Sequence, residues 1–361
     1  MNSSTANKQK GIQLIPFTVD KVVEQVNEIP PGVQLIHAPQ VWEKSAKGKD
    51  IVVAVLDTGC DMNHIDLKDR IIGGRNFTKD YEGDPNIYLD NNGHGTHVAG
   101  TIAATENGVG VLGVAPLAKM LVLKVLAGDG SGSYEQIIEA IHYAVNWRGP
   151  NKERVRVISM SLGGPQDVPE LHEAIQNAVK QDVLVVCAAG NNGDCNDNTE
   201  ELDFPGAYSE VIEVGAVNLE RKIACFSNSN QEIDLVAPGD EILSTYPEGK
   251  YAVLSGTSMA TPHVAGALAL LIKQCEREYG RKLSEPEIYA QLIKRTVPLG
   301  YERTSEGNGL LDLLKEYKIL KNISYSYEMF FSMILSHVTG NLVLHSFSRN
   351  VCRSYIYFFL K

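Results

Sequence analysis

Short apolar runs recur along the chain: Ile51 to Leu56, Met120 to Leu126, Val155 to Met160, Val183 to Cys187 and Val211 to Val217. Each is apolar on both faces instead of alternating, which predicts strands buried from both sides. Between these runs the period changes to that of a helix. Ser133 to Trp147 places Ile137, Ile138, Ile141, Ala144 and Val145 on one face, with Ser133 as an N-cap and Gln136 three residues on. Pro169 to Gln181 and Ala260 to Cys275 predict helices in the same way. Alternating strands and helices predict an α/β fold, a mostly parallel sheet covered on both faces. In such sheets ligand and catalytic sites gather at the carboxyl ends of the strands.

Composition adds constraints. The 361 residues include 43% hydrophobic and 21% charged residues, enough to bury a core without disulfide staples and incompatible with a collagen-like, coiled-coil or fully disordered chain. A net charge of -11 argues against nucleic acid or anionic membranes as partners. That charge is uneven. Residues 316 to 361 carry Lys318, Lys321, Arg349, Arg353 and Lys361 against Glu316 and Glu328, a net of +3, so the residues before them carry -14. The same tail holds five of the nine Phe and no Ala, Asp or Pro, and Glu316 reads as a composition boundary. The six Cys show no CxxC spacing, and several lie in apolar runs, so free thiols in a reducing compartment are expected. The first twenty residues lack the apolar segment and cleavage site of a secretory signal, and the most apolar stretch, Met329 to Leu344, is interrupted by polar residues and glycine. The expectation is a cytoplasmic, soluble protein.

Three segments carry the chemistry. Asp57-Thr58-Gly59 ends the run IVVAVL, His94-Gly95-Thr96-His97-Val98-Ala99-Gly100 follows an Asn/Gly turn, and Gly256-Thr257-Ser258-Met259-Ala260-Thr261-Pro262-His263-Val264-Ala265-Gly266 leads from a turn into a helix. Each alone has an ordinary reading, as a turn or as a hydroxyl cap. Together they supply a hydroxyl nucleophile, an imidazole to take its proton and a carboxylate to hold the imidazole. Their chain order, Asp57, His94, Ser258, is that of subtilisin. The chain resembles the subtilisin-like serine proteases through these three motifs, over roughly Asn27 to Leu311. The resemblance implies the subtilisin-like three-layer fold, with Ser258 as nucleophile, His94 as general base and acid, and Asp57 orienting it. His97 and His263 would be packing residues.

The resemblance implies further positions. Asn191, in Ala188-Ala189-Gly190-Asn191-Asn192-Gly193, would donate to the oxyanion beside the N–H of Ser258, although Asn-Asn-Gly is also a good turn signal. Ser161, Leu162 and Gly163 resemble one edge of a groove for extended peptide, and Ala188 and Gly190 help to wall the pocket for the residue before the scissile bond. Gly130, Ser131 and Gly132 resemble the other edge, with Tyr134 capping a more distant apolar subsite. Asp194, Asp197, Glu200, Glu201 and Asp203 share one loop, whose carboxylates either favour basic or polar side chains in that pocket, hold a cation, or simply face solvent. The resemblance also implies Ca2+, held by Asp66, the Asn107 side chain, the loop oxygens of Thr105, Val109 and Val111, and Asn27 where the family usually has Gln. Ile65 replaces a Pro common before that aspartate.

The two ends differ in kind. Leu14-Ile15-Pro16-Phe17 resembles the inhibitory motif of the short N-terminal extension in intracellular subtilisins; the alternative is a hydrophobic staple on an unstructured terminus. The expected organisation is an inhibitory extension over 1–26, a peptidase domain over 27–315 and an atypical aromatic-rich tail over 316–361. The expected activity is that of a serine endopeptidase of broad specificity, working through an acyl-enzyme in intracellular protein turnover and made as a zymogen. Its partners would be protein and peptide substrates and its own extension, with a homodimer open because the family is dimeric. A catalytically latent binding or inhibitor-like relative is the alternative, though no triad member is missing. An aspartic protease would need a second D(S/T)G, which the sequence lacks.

Overall fold

In the computed structural model, residues 11–196 and 199–315 are described. The chain divides into two units, Met1–Lys315 and Glu316–Lys361. The aromatic-rich tail and Asp197 of the acidic loop therefore lie outside the described residues.

The apolar runs become Val52–Asp57, Lys119–Lys124, Val155–Met160, Leu184–Ala188 and Ile212–Val217. Among the described residues they belong to a nine-stranded sheet whose order is Thr296–Val297, Leu310–Leu311, Ile233–Pro238, Ile212–Val217, Leu184–Ala188, Val155–Met160, Val52–Asp57, Lys119–Lys124 and Ile71–Asn76. Every neighbouring pair is parallel except Thr296–Val297 with Leu310–Leu311. Successive residues of the strand Val52–Asp57 serve opposite cores. Val52, Ala54 and Leu56 cluster with Ile137, Ile141, Leu171 and Ile175 of the helices Tyr134–Asn146 and Pro169–Lys180. Val53 and Val55 cluster with Val98 and Ile102 of the helix His94–Ala103 and with Val264 and Leu268 of the helix Thr257–Tyr279. Both faces are thus removed from water, which is why these strands are apolar throughout.

The helix Tyr134–Asn146 starts where expected, because the Ser133 hydroxyl accepts from Gln136 N and the Gln136 carboxamide accepts from Ser133 N. The helix Thr257–Tyr279 starts before the expected Ala260, and Pro262 lies inside it. Proline cannot donate the bond that the Ser258 carbonyl would receive four residues back. The Ser161 hydroxyl donates to that carbonyl instead, at 2.9 Å.

One expectation fails. Cys195 and Cys225 form a disulfide, with their Cα atoms 4.6 Å apart, and so are not free thiols. They lie 30 residues apart in sequence and meet because the segment after Gly190 runs beside the one before Ser227, with Gly193 N donating to Phe226 O. No local spacing could show this. Cys60, Cys187 and Cys275 are buried as thiols, and Cys352 lies outside the described residues.

Candidate active site

Asp57 is the last residue of its strand and is buried at the carboxyl end of the sheet. Its oxygens lie 2.8 and 3.0 Å from His94 Nδ1, and Oδ1 also accepts from Thr58 N. A second aspartate, Asp90, ties the surrounding turn together: it accepts from the Thr58 hydroxyl, from Gly93 N, and from both the amide and hydroxyl of Thr96. The strand end and the first turn of the His94 helix are thereby fixed to each other. The buried ammonium of Lys124 closes the knot from below, donating to Thr58 O at 2.7 Å, Leu126 O at 3.0 Å and Asn91 Oδ1 at 2.9 Å, with Asp80 3.1 Å away. Sequence reasoning missed Asp90 and Lys124. The Asp-Asn-Asn-Gly turn was the only local signal for the first, and a lysine in an apolar strand has none.

His97 and His263 are packing residues. His97 Nε2 faces the carbonyls of Ile242 and Ala252, and His263 Nδ1 that of Met259. Burial pushes their pKa values down to about 3 and about 4, so both rings are neutral at physiological pH.

Ser258 is the second residue of its helix, where free backbone N–H groups and the positive end of the helix dipole favour developing negative charge. Asn191 is held facing the same place. Its Oδ1 accepts from the amide and hydroxyl of Thr257, which turns its Nδ2 outward to donate to the carbonyl of Pro16 at 2.6 Å. Thr257 is what orients that donor.

Pro16 belongs to a segment lying in the groove. Gln13 and Leu14 pair antiparallel with Gly163 and Leu162, Leu14 N donates to Gly130 O, and Gly132 N donates to Ile12 O. The structure therefore brings the two expected edges together around residues 12–14. Ile12 and Leu14 are buried in the cluster that Tyr134 packs against. The Ile15 side chain enters the space beside Gly163, and the Phe17 ring lies 4.8 Å from that of His94. In this arrangement Ser258 Oγ is 3.5 Å from the Ser161 carbonyl, while His94 Nε2 is buried with no hydrogen-bond partner among the described residues. Beyond the site, Thr18–Val23 pairs antiparallel with Lys250–Ser255, and Asn27–Glu28 runs parallel to Gly110–Val111.

The other expected ligands also converge. Buried Asp66 accepts from Asn107 Nδ2 at 2.7 Å and Val111 N at 3.0 Å, and its carbonyl accepts from Thr105 N at 2.9 Å. Asn107 Oδ1 accepts from Val109 N. Asn27 meets this loop through the backbone register with Gly110. The acidic loop is more dispersed than its sequence suggests. Asp194 accepts from Asn196 N and the Thr199 hydroxyl, Glu201 accepts from Ser229 N, and Glu200 is exposed. Asp203 meets the groove.

A carboxylate–imidazole pair and a helix-borne serine at the carboxyl edge of a parallel sheet, beside a peptide groove, define a class. Residues 48–313 match the model of the subtilase family of peptidases, and the chain belongs to that family: it is a serine protease. Among curated proteins it is 61% identical over 305 residues to an intracellular serine protease of Paenibacillus polymyxa, covering 84% of this chain and 91% of that one. It is 56% identical over 317 residues to the major intracellular serine protease of Bacillus subtilis, covering 88% and 98%. Subtilisin E of the same organism is 43% identical over 251 residues, covering 70% and 63%.

Proposed function

We propose that the protein is an intracellular serine endopeptidase, working in the cytoplasm on protein and peptide substrates of broad sequence, and made as a zymogen blocked by its own N-terminal segment. The names of the two intracellular relatives support the location. The observation that carries the rest is the seating of residues 12–17 along both groove edges, against Asn191 and the His94 ring.

Ser258 Oγ attacks the scissile carbonyl while His94 Nε2 takes its proton. Asp57 holds Nδ1 and stabilises the resulting imidazolium. The oxyanion is met by Asn191 Nδ2 and by the N–H of Ser258. His94 then returns the proton to the departing amine, leaving an acyl-enzyme that water hydrolyses through the same steps in reverse order. The segment 12–17 evades this sequence by its register. With Leu14 on Gly130 and Ile15 beside Gly163, a substrate in this register would present the bond after residue 15, yet the carbonyl that Asn191 meets is that of Pro16, one residue further on.

The loop 105–111 supports a structural Ca2+. Asp66 would supply a buried carboxylate, Asn107 a carboxamide oxygen, and Thr105, Val109 and Val111 backbone carbonyls, a hard oxygen set suited to that ion. Asn27 would contribute at the edge. Bound there, the ion would brace the loop and the strand of the extension that pairs with it.

A Ser-directed fluorophosphonate tests the reading. Removing residues 1 to 18 should raise the labelling rate sharply, and Ser258→Ala should abolish it; no labelling of either form would leave the latent, binding-only relative as the better account.

A further inference from the structure

The groove fixes which side chain is read before the scissile bond. With Ile12, Gln13 and Leu14 placed by the two edges, the next residue, Ile15, is 3% exposed and enters a slot beside Gly163 that Asp203 also borders. A methyl group on Gly163 would stand 3.3 Å from Cβ of Asp203 and 3.5 Å from Cδ1 of Ile15. A methyl on Gly190 would collide with Asp203 Oδ2, and the φ of +114° there already favours glycine. Asp203 thus borders both glycines: its carboxylate fills the space beside Gly190 together with the Asn228 amide, and its Cβ flanks the bare face of Gly163 that Ile15 also meets. Two amides hold the carboxylate there: Oδ2 accepts from Asn192 Nδ2 at 3.1 Å and Asn228 Nδ2 at 3.3 Å. Asn228 is itself pinned, donating to Ala189 O and accepting from Asn192 N. No ion pair forms at Asp203 among the described residues.

We propose that Asp203 makes this slot selective for a cationic side chain, so that the protease cleaves after Arg and Lys in preference to aliphatic or acidic residues. The inference rests on the protease reading above. Neutral amides position a half-buried carboxylate without compensating its charge, and an aliphatic occupant such as Ile15 leaves it in that state. Burial raises the Asp203 carboxyl accordingly, against the hydrogen bonds from Asn228 and Asn192. A guanidinium or ammonium entering the slot supplies the missing charge with directed N–H donors, while a glutamate there meets like charge.

The test uses the full-length chain carrying Leu14→Ala, Ile15→Ala and Phe17→Ala, which loosens the block, with active sites counted by fluorophosphonate labelling. Peptides differing only before the scissile bond, with Arg, Lys, Leu or Glu, are compared by kcat/KM. Arg and Lys should exceed Leu by about tenfold or more, with Glu lowest, and Asp203→Asn should collapse the Arg-to-Leu ratio by a similar factor. An Arg-to-Leu ratio near one, or a ratio untouched by Asp203→Asn, overturns the inference while labelling and hydrolysis keep the protease reading intact. Absence of labelling and of all hydrolysis overturns both. Should Asp203→Asn fail to fold, benzamidine decides the matter on the parent chain: competitive inhibition supports the cationic slot, and none at millimolar concentration refutes it.

Discussion

At the scale of single residues, the buried polar groups are the most informative. Glu213 is the second residue of the strand Ile212–Val217, fully buried, with Oε1 accepting from Asn230 at 3.2 Å and Oε2 without a partner among the described residues. Burial pushes its pKa from the ordinary 4.5 up to about 8. Between those values the folded state holds a proton that the unfolded chain has released. Stability therefore falls as pH rises through that window and levels off above it. Glu213→Gln, neutral at every pH, should flatten this slope, so that denaturant midpoints of the variant and parent diverge progressively in the variant's favour from pH 5 to pH 8. Parallel curves would show that the carboxyl titrates normally. Nothing in the run VIEVGAV announced a buried acid, since the surrounding apolar residues dictate a strand closed on both faces and the charge enters it as a passenger. By contrast, Asp57, His94 and Ser258 were legible, because three chemically complementary groups in a characteristic order are improbable together by accident.

At the scale of elements, local rules worked where the local signal was complete. The Ser133–Gln136 capping box placed a helix start to the residue, while the Ser258 helix began earlier than the expected Ala260, and the Ser161 hydroxyl, between two strands, satisfies the carbonyl that Pro262 leaves bare. Such a compensation across 97 residues has no signature in either segment. The loop 105–111 is a third case: its ligand types were readable, but their convergence on Asp66 depends on how the His94 helix and the turn at His64–Asp66 pack. If Ca2+ braces this loop, a chelator should lower the melting temperature, and Asp66→Asn should remove the chelator's effect. A site filled a hundredfold above its Kd contributes about 2.7 kcal/mol. Equal melting temperatures for the parent with and without chelator would argue against the ion.

At the scale of the whole molecule, the N-terminal segment is woven into the body at three places: the groove, the edge of Lys250–Ser255 and the strand Gly110–Val111. On the proposed zymogen reading, its resistance to cleavage would depend on register more than on affinity. Pro16→Ala restores an N–H and frees φ, so the segment should be able to relax into a productive alignment. N-terminal sequencing of the purified variant is expected to find a new terminus at residue 16; an intact, fully blocked chain would place the resistance elsewhere.

Sequence alone determined the α/β architecture, because two-sided apolar runs and one-sided helical faces admit few other packings, and it singled out Asp57, His94, Ser258 and the Leu14–Phe17 segment as candidates, because their residues are contiguous or chemically distinctive. Tertiary structure alone decided which of the loop's carboxylates lies beside Gly163 and Gly190, that Cys195 meets Cys225, and that Asp90, Thr257 and Lys124 hold their surroundings in shape. Those outcomes rest on contacts between segments far apart in the chain, and the physical reason they are invisible locally is that a polar side chain's role is set by what lies opposite it, which only the folded backbone specifies.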